Sequence, residues 1–291
     1  MSDTPIEWLQ AKQRIDKAQA IFSDLNTPTR ILYISGSSRD EDTCPQEKSK
    51  TEIFLEVSAK RLKTDFPSIE IDFLDLGDMT AGKAPMIFPC KGCYSTAAPL
   101  CNWPCSCYPN PDLKQSPDWM DEIYVRLARA HGVIVGTPVK WYKPDSVLCL
   151  LLDRLVCADG GNPDPDITGF KNKEACKELE RSGKYPIVKH LGGRSVGFFV
   201  HGDYGGQSTV LNSLVLTFSA MGFEIAGPTS VSEYMIAPES GYYADNLKVL
   251  ADSKAMENIQ ERVHRMAVAV LKKAVLLRTG YKMIQQSDFD K

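Results

Sequence analysis

The chain has 291 residues, 43% of them hydrophobic and 24% charged, with a formal net charge of −3. It is long and apolar enough to bury a core without covalent staples, and it holds no run of five or six Lys/Arg, which argues against nucleic acid or an anionic membrane surface as the main partner. The stretch MSDTPIEWLQAKQR has no apolar leader core, and no window reaches about 18 uninterrupted apolar residues, so neither a secretion signal nor a membrane span is expected.

Residues 1–29 read as an added helix, with Thr4, Pro5 and Glu7 as a capping-box start and Trp8, Ile15, Ala18 and Phe22 available for docking. RILYIS, ending at Gly36, is a short β-rich apolar strand, and TEIFLEVSAKRL after it carries Leu55, Ala59 and Leu62 at helical spacing. SIEIDFLDL alternates Ile69, Ile71 and Phe73 with polar neighbours, as a strand with one less buried face does. After a cysteine-rich segment, SPDWMDEIYVRLARA opens with Ser116 as N-cap and Pro117 at the first helical position, and Met120, Ile123, Tyr124, Leu127 and Ala128 form its stripe. GVIVGTP is a fully apolar strand of the kind found in parallel sheets covered on both faces. SVLCLLLDRLV follows as a helix apolar on nearly every side, interrupted by Asp153 and Arg154.

RSVGFFVHG is a fourth strand, STVLNSLVLTFSAMG a helix from cap Ser208 to Gly222, and FEIAGP opens a fifth strand region. Residues 246–280 form a long helix with Ile259, Val263, Met266, Val270 and Ala274 on one face, stopped by Gly280. Five strands alternating with helices imply an α/β fold with a parallel, doubly wound sheet, because each parallel crossover needs a covering helix. The chain divides into a helical extension (1–29), a central domain (30–245) containing a Cys-rich loop (88–115) and a Gly/Pro/charge-rich insertion (160–194), and a carboxy-terminal helix and tail (246–291). There is no internal repeat and no second nucleotide-binding unit.

Open α/β sheets bind ligands at the carboxyl ends of their strands, and three loops lie there. SGSSRDEDTCPQEKSKT (35–51) sets the hydroxyls of Ser37, Ser38, Ser49 and Thr51, with Arg39, between a buried strand and a helix N-terminus, a combination suited to a phosphate. It matches neither GxxxxGK[ST] nor GxGxxG, and the bland alternative is a solvated loop with a capping serine. GTPVKWYKPDS (136–146) carries Trp141 and Tyr142, and VHGDYGGQS (200–208) sets three glycines around Tyr204. Together the three loops would bracket a flat ring tethered to a phosphate.

SGSSR with SKT, then GVIVGTPVKWYKPDSVLCLLLDR, then HGDYGG and a helix ending in MGFEIAGP, resemble the flavodoxin-like NAD(P)H-dependent FMN reductase family over roughly residues 30–236. CKGC before the third strand also resembles the related iron–sulfur flavoproteins. The resemblance implies a flavodoxin-like, five-stranded parallel sheet with helices on both faces. It implies that Ser37, Ser38, Arg39, Ser49 and Thr51 hold the FMN phosphate. Pro138, Val139, Lys140, Trp141, Tyr142, His201, Gly202, Asp203, Tyr204 and Gly205 would border the isoalloxazine. It further implies NAD(P)H as co-substrate, hydride passed by the flavin to a small acceptor such as a quinone, flavin or nitroaromatic, and ping-pong turnover. Backbone amides of the second and third loops would stabilise negative charge on the reduced ring, so no acid/base dyad is required. The catalytic residue is left open: His201 is available as a proton donor, although a histidine closing a strand is more often structural.

His131, His190 and His264 show no ligand spacing with one another. Cys90, Cys93, Cys101, Cys105 and Cys107 read first as metal-free thiols in a loop able to reach the ligand edge. The alternatives are an iron–sulfur or zinc centre, or redox pairing. An odd count of nine cysteines suggests reduced thiols in a cytoplasmic protein, and apolar helices with terminal extensions suggest a homo-oligomer, a dimer or tetramer. Two other functions stand beside the reductase: an electron carrier holding FMN and a cluster, and a flavin-free interaction protein.

Overall fold

The computed structural model describes residues 4–44, 46–108, 118–202, 205–227, 231–234 and 253–280. Its strands are β1 (Arg30–Ser35), β2 (Glu70–Asp75), β3 (Gly132–Lys140), β4 (Lys143–Pro144), β5 (Ser195–Gly202), β6 (Glu224–Ile225) and β7 (Val231–Tyr234). The sheet runs β2-β1-β3-β5-β6 with every one of these pairings parallel. β7 continues the fifth position along the same edge of β5, pairing Phe199 with Val231. The two-residue β4 folds back antiparallel on the end of β3, a hairpin that the apolar pattern of GVIVGTP did not announce.

Eight α-helices lie in the described chain beside four short 3-10 turns: α1 (Ile6–Ser23), α2 (Lys50–Asp65), α3 (Gly77–Thr80), α4 (Met120–Arg129), α5 (Ser146–Arg154), α6 (Lys173–Arg181), α7 (Gln207–Ala220) and α8 (Ser253–Gly280). Period-two alternation in β1 sorts the core into two layers. Leu32 and Ile34 face α1, α4, α5 and α7 through Ile15, Leu127, Leu148, Leu151 and Leu214. Ile31 and Tyr33 face α2 and α8 through Phe54, Leu62, Val263, Met266 and Val270. β3 and β5 are buried on both faces, which is why they read as continuous apolar runs. Read in the sequence as lying outside the core, α8 packs with α2 over one face of the sheet. A Cβ on Gly197 would stand 2.5 Å from Met266 Sδ, so only glycine lets α8 lie that close. No helix among the described residues is long and apolar enough to cross a membrane.

Three helix starts differ from the sequence reading. The Thr4 hydroxyl donates to Asp166 Oδ1 (3.1 Å) and not to its own helix, so the capping box at Thr4 and Glu7 does not form. α4 begins at Met120, with Ser116 and Pro117 outside the described residues. α7 begins at Gln207 after Gly206, whose φ of 107° places it where glycine is favoured, so Ser208 lies inside the helix and caps nothing.

The Cys-rich loop is stapled beneath the sheet by buried polar contacts. Arg154, at the end of α5 and 1% exposed, donates to Asp118 Oδ2 (2.5 Å) and Oδ1 (3.2 Å) on one side of the loop and to the Phe88 carbonyl (2.9 Å) on the other. Trp8 Nε1 donates to the Pro104 carbonyl (2.8 Å), which docks α1 against the loop. Cys93 and Cys107 bring their Sγ atoms to 3.9 Å. Contact with Cys101 and burial push the Cys93 thiol up to about 11, so it is protonated at neutral pH.

Candidate functional site

The strands β1, β3 and β5 end side by side, and their loops enclose a cavity of about 320 Å³. Ser37, Ser38, Arg39, Ser49, Lys50 and Thr51 line it from the first loop, Pro138, Val139 and Lys140 from the second, and His201 and Gly202 from the third, with Cys44 also on the wall. The lining thus holds four hydroxyls and three cationic side chains and no carboxylate among the described residues, against the sign of a chain with net charge −3. α2 starts at this wall, with the Ser49 oxygen accepting the Glu52 N–H at 3.0 Å as its N-cap. The positive end of the helix therefore faces the cavity.

The loops are tied to one another by a residue that was not singled out from sequence. Asp145, fully buried, accepts the Ser38 N–H (3.0 Å) and the Ser38 hydroxyl (3.0 Å), and its Oδ2 stands 2.6 Å from Lys140 Nζ. Lys140 also donates to Ser38 Oγ at 2.6 Å. Asp145 sits at the N-cap of α5 yet makes no cap hydrogen bond, because its carboxylate is turned toward the first loop. Arg39 is engaged sideways, donating to the Glu47 carboxylate and to the Glu47 carbonyl (3.2 Å).

The third loop contributes His201, 5% exposed and stacked on Phe199 with ring centroids 5.1 Å apart. Its Nε2 lies 2.7 Å from Thr51 Oγ1. Burial, reinforced by the Lys50 charge, lowers its pKa to about 3. The imidazole is therefore neutral at physiological pH, with the Thr51 hydroxyl as its hydrogen-bond partner. Trp141 (φ 51°) and Tyr142 (φ 63°) form the two-residue tip of the β3–β4 hairpin, outside the cavity wall. Tyr142 packs over the third loop at Gly206, where a Cβ would come within 2.9 Å of its ring. Asp203 and Tyr204 lie outside the described residues, and Gly205 lies near Tyr142.

Beneath the first loop, the Thr80 hydroxyl donates to the Ser38 carbonyl (2.7 Å) and Gly77 backs onto the Ser37 and Arg39 carbonyls. Asp40, Asp75 and Asp78 converge there to within 4.8 Å, and Lys83 supplies counter-charge to Asp40 at 2.9 Å. Burial raises the Asp75 carboxyl to about 7; the Gly77 N–H it accepts opposes the rise, and Glu52 and Asp78 add to it by repulsion. Because the folded pKa exceeds the unfolded value, the stability associated with this proton is complete below pH 4 and lost as pH rises to about 7. Asp75→Asn should therefore melt higher than the native chain at pH 8, by about 2–4 kcal/mol, with the gap shrinking toward pH 4. Thermal melts of both proteins from pH 5 to 8 check this, and a gap independent of pH contradicts it.

Among the described residues, the five cysteines at 90–107 do not line this cavity, and residues 109–115 of their loop lie outside the described residues. Cys90 instead borders a separate surface cavity of about 510 Å³ with Leu152, Val156, Thr217 and Met221, at the opposite ends of α5 and α7 from Asp145 and Gln207. His131, His190 and His264 each bond separately: to Arg30 N and the Phe22 carbonyl, to the Gly161 carbonyl, and to Asp65.

A family model described as NADPH-dependent FMN reductase matches residues 29–234. No curated protein matches the chain. Among solved structures, RosB with bound 8-demethyl-8-formylriboflavin-5'-phosphate covers 86% of this chain and 81% of its own at 12% identity, with a TM-score of 0.58. An apo NADH:FMN oxidoreductase, EMOB, covers 83% and 89% at 13% identity (TM-score 0.41). An azoreductase from Bacillus anthracis covers 81% and 99% at 12% identity (TM-score 0.43). The likeness to RosB is one of fold.

Proposed function

Since the chain belongs to the NADPH-dependent FMN reductase family, we propose that the cavity between the β1, β3 and β5 loops holds FMN and that the protein is an NAD(P)H-dependent FMN oxidoreductase delivering electrons to a small acceptor such as a quinone, flavin or nitroaromatic. The observation that carries the placement is the lining itself: hydroxyls and cations at the positive end of α2, with no carboxylate in the wall among the described residues. Ser37, Ser38, Arg39, Ser49 and Thr51 would hold the phosphate, and Pro138, Val139, Lys140, Trp141 and Tyr142 with His201 and Gly202 would border the ring. FMN bound there supplies the hydride chemistry.

The chain's own groups bind and orient. If the neutral His201 keeps its proton on Nε2, it donates to Thr51 Oγ1 and leaves the threonine proton for an anion in the cavity. Asp145 fixes Ser38 and Lys140 in register. Reduced-nicotinamide and acceptor would enter in turn through the same mouth, so initial rates at varied donor and acceptor should give parallel double-reciprocal lines. Intersecting lines would reject the shared mouth. Arg39 would exchange Glu47 for the phosphate, and Arg39→Ala should weaken FMN by about 1.5–3 kcal/mol, roughly 10- to 150-fold. Fluorescence titration of flavin-free protein reads this directly, and unchanged affinity removes the anchor role. A homo-oligomeric, cytoplasmic enzyme completes the proposal, and the exposed Leu216, Val275 and Leu276 offer apolar surface for self-association.

A further inference from the structure

Trp8, Trp103 and Trp119 are each at most 7% exposed, whereas Trp141 is 91% exposed. It stands at the tip of the β3–β4 hairpin, one residue beyond Lys140 on the cavity wall. Both tip residues have left-handed backbone, the conformation that a two-residue hairpin turn demands and that Asn-Gly adopts without strain. Two bulky aromatics at positive φ are outliers of the kind that mark ligand clamps.

The tip is also held. Lys140 and Lys143 pair across the hairpin, Lys140 is fixed by Asp145 and Ser38, and Tyr142 rests against Gly206. The indole is thus presented to solvent on a braced support. Its flanks are cationic: Lys140 and Lys143 are exposed on either side of the turn, and Arg39 and Lys50 continue the positive rim along the cavity. Two of these cations are paired, Lys140 with the buried Asp145 and Arg39 with Glu47.

We propose that Trp141 is a stacking platform at the mouth of the cavity and that, with Lys143, it selects planar aromatic acceptors bearing a negative charge over neutral ones of the same shape. An indole face offers contact area to any flat ring; the exposed Lys143 ammonium supplies the preference for sulfonate, carboxylate or phosphate substituents. The inference rests on the reductase reading for the acceptor's role, and extends it to the acceptor's class.

The test uses the full chain loaded with FMN, anthraquinone-2-sulfonate as the charged probe and 2-(hydroxymethyl)anthraquinone as its neutral counterpart. The sulfonate should quench tryptophan emission saturably, at least tenfold tighter than the neutral probe. Trp141→Phe should abolish the quenching and remove the iodide-accessible component of the emission. Lys143→Gln should weaken the sulfonate at least fivefold, raise its KM by a similar factor, and leave the neutral probe unchanged. Sulfonate quenching no tighter than that of the neutral quinone, or insensitive to Lys143→Gln, would overturn the proposal even in a protein that binds FMN and is reduced by NADPH. Failure to bind FMN at all would instead overturn the reductase reading, and selective sulfonate quenching in that same protein would still support the platform.

Discussion

Replacing Arg154 with Met should destabilise the protein by about 3–5 kcal/mol, because it leaves the Asp118 carboxylate buried without its counter-ion. For a chain of this size that corresponds to a fall in Tm of roughly 6–15 °C. The magnitude follows from geometry: both side chains are almost wholly shielded from water, the contact is bidentate, and the same guanidinium also holds the Phe88 carbonyl and lies 4.6 Å from the centre of the Tyr108 ring. The cost falls on the Cys-rich loop, since Phe88 and Asp118 flank it on either side. The double variant Arg154→Met/Asp118→Leu should recover much of the loss, as apolar replacements of a buried pair often do. Thermal and denaturant melts of the three proteins check the argument; a single-variant loss below about 1 kcal/mol would show that the pair does not clamp the loop.

Asp145→Ala should weaken FMN binding by about 30- to 1000-fold, or about 2–4 kcal/mol, the scale of losing two to three hydrogen bonds to a charged acceptor. Without the carboxylate, the Ser38 amide and hydroxyl lose the acceptor that fixes the first loop, and Lys140 loses the partner that holds the second loop to it. Isothermal titration with FMN reads the change, with circular dichroism to confirm that the sheet persists. Tighter binding in Asp145→Ala would show that the freed Lys140 charge outweighs loop geometry, and would reverse the role assigned here.

The sheet and most of its helices were legible because their signals are local. RILYIS, GVIVGTP and RSVGFFVHG each carry an apolar run for a reason the structure supplies, burial on both faces. The helical stripe at Ile259, Val263, Met266, Val270 and Ala274 was likewise visible, but its docking on Gly197 across the sheet was not, since that depends on residues some seventy positions apart. The same limit applies to the site. The hydroxyl cluster at 37–51 announced itself, whereas Asp145 was not singled out within GTPVKWYKPDS; its bonds to Ser38 exist only once β1 and β3 lie side by side. Thr4 and Ser208 show the converse failure: each fits a capping pattern locally, yet Thr4 finds Asp166 and Gly206 takes the N-cap of α7 two residues earlier. A short polar side chain has several partners within reach, and tertiary context chooses among them.

The central claim, that the cavity at the ends of β1, β3 and β5 grips FMN through its phosphate, is tested most directly by titrating flavin-free protein with FMN and with riboflavin and following quenching of the flavin emission. The hydroxyls, the cations and the α2 terminus all act on the phosphate, so FMN should bind one per chain and riboflavin at least about 100-fold more weakly, the worth of two charge-assisted hydrogen bonds. Equal affinity for the two flavins, or no stoichiometric binding of FMN, would contradict the account.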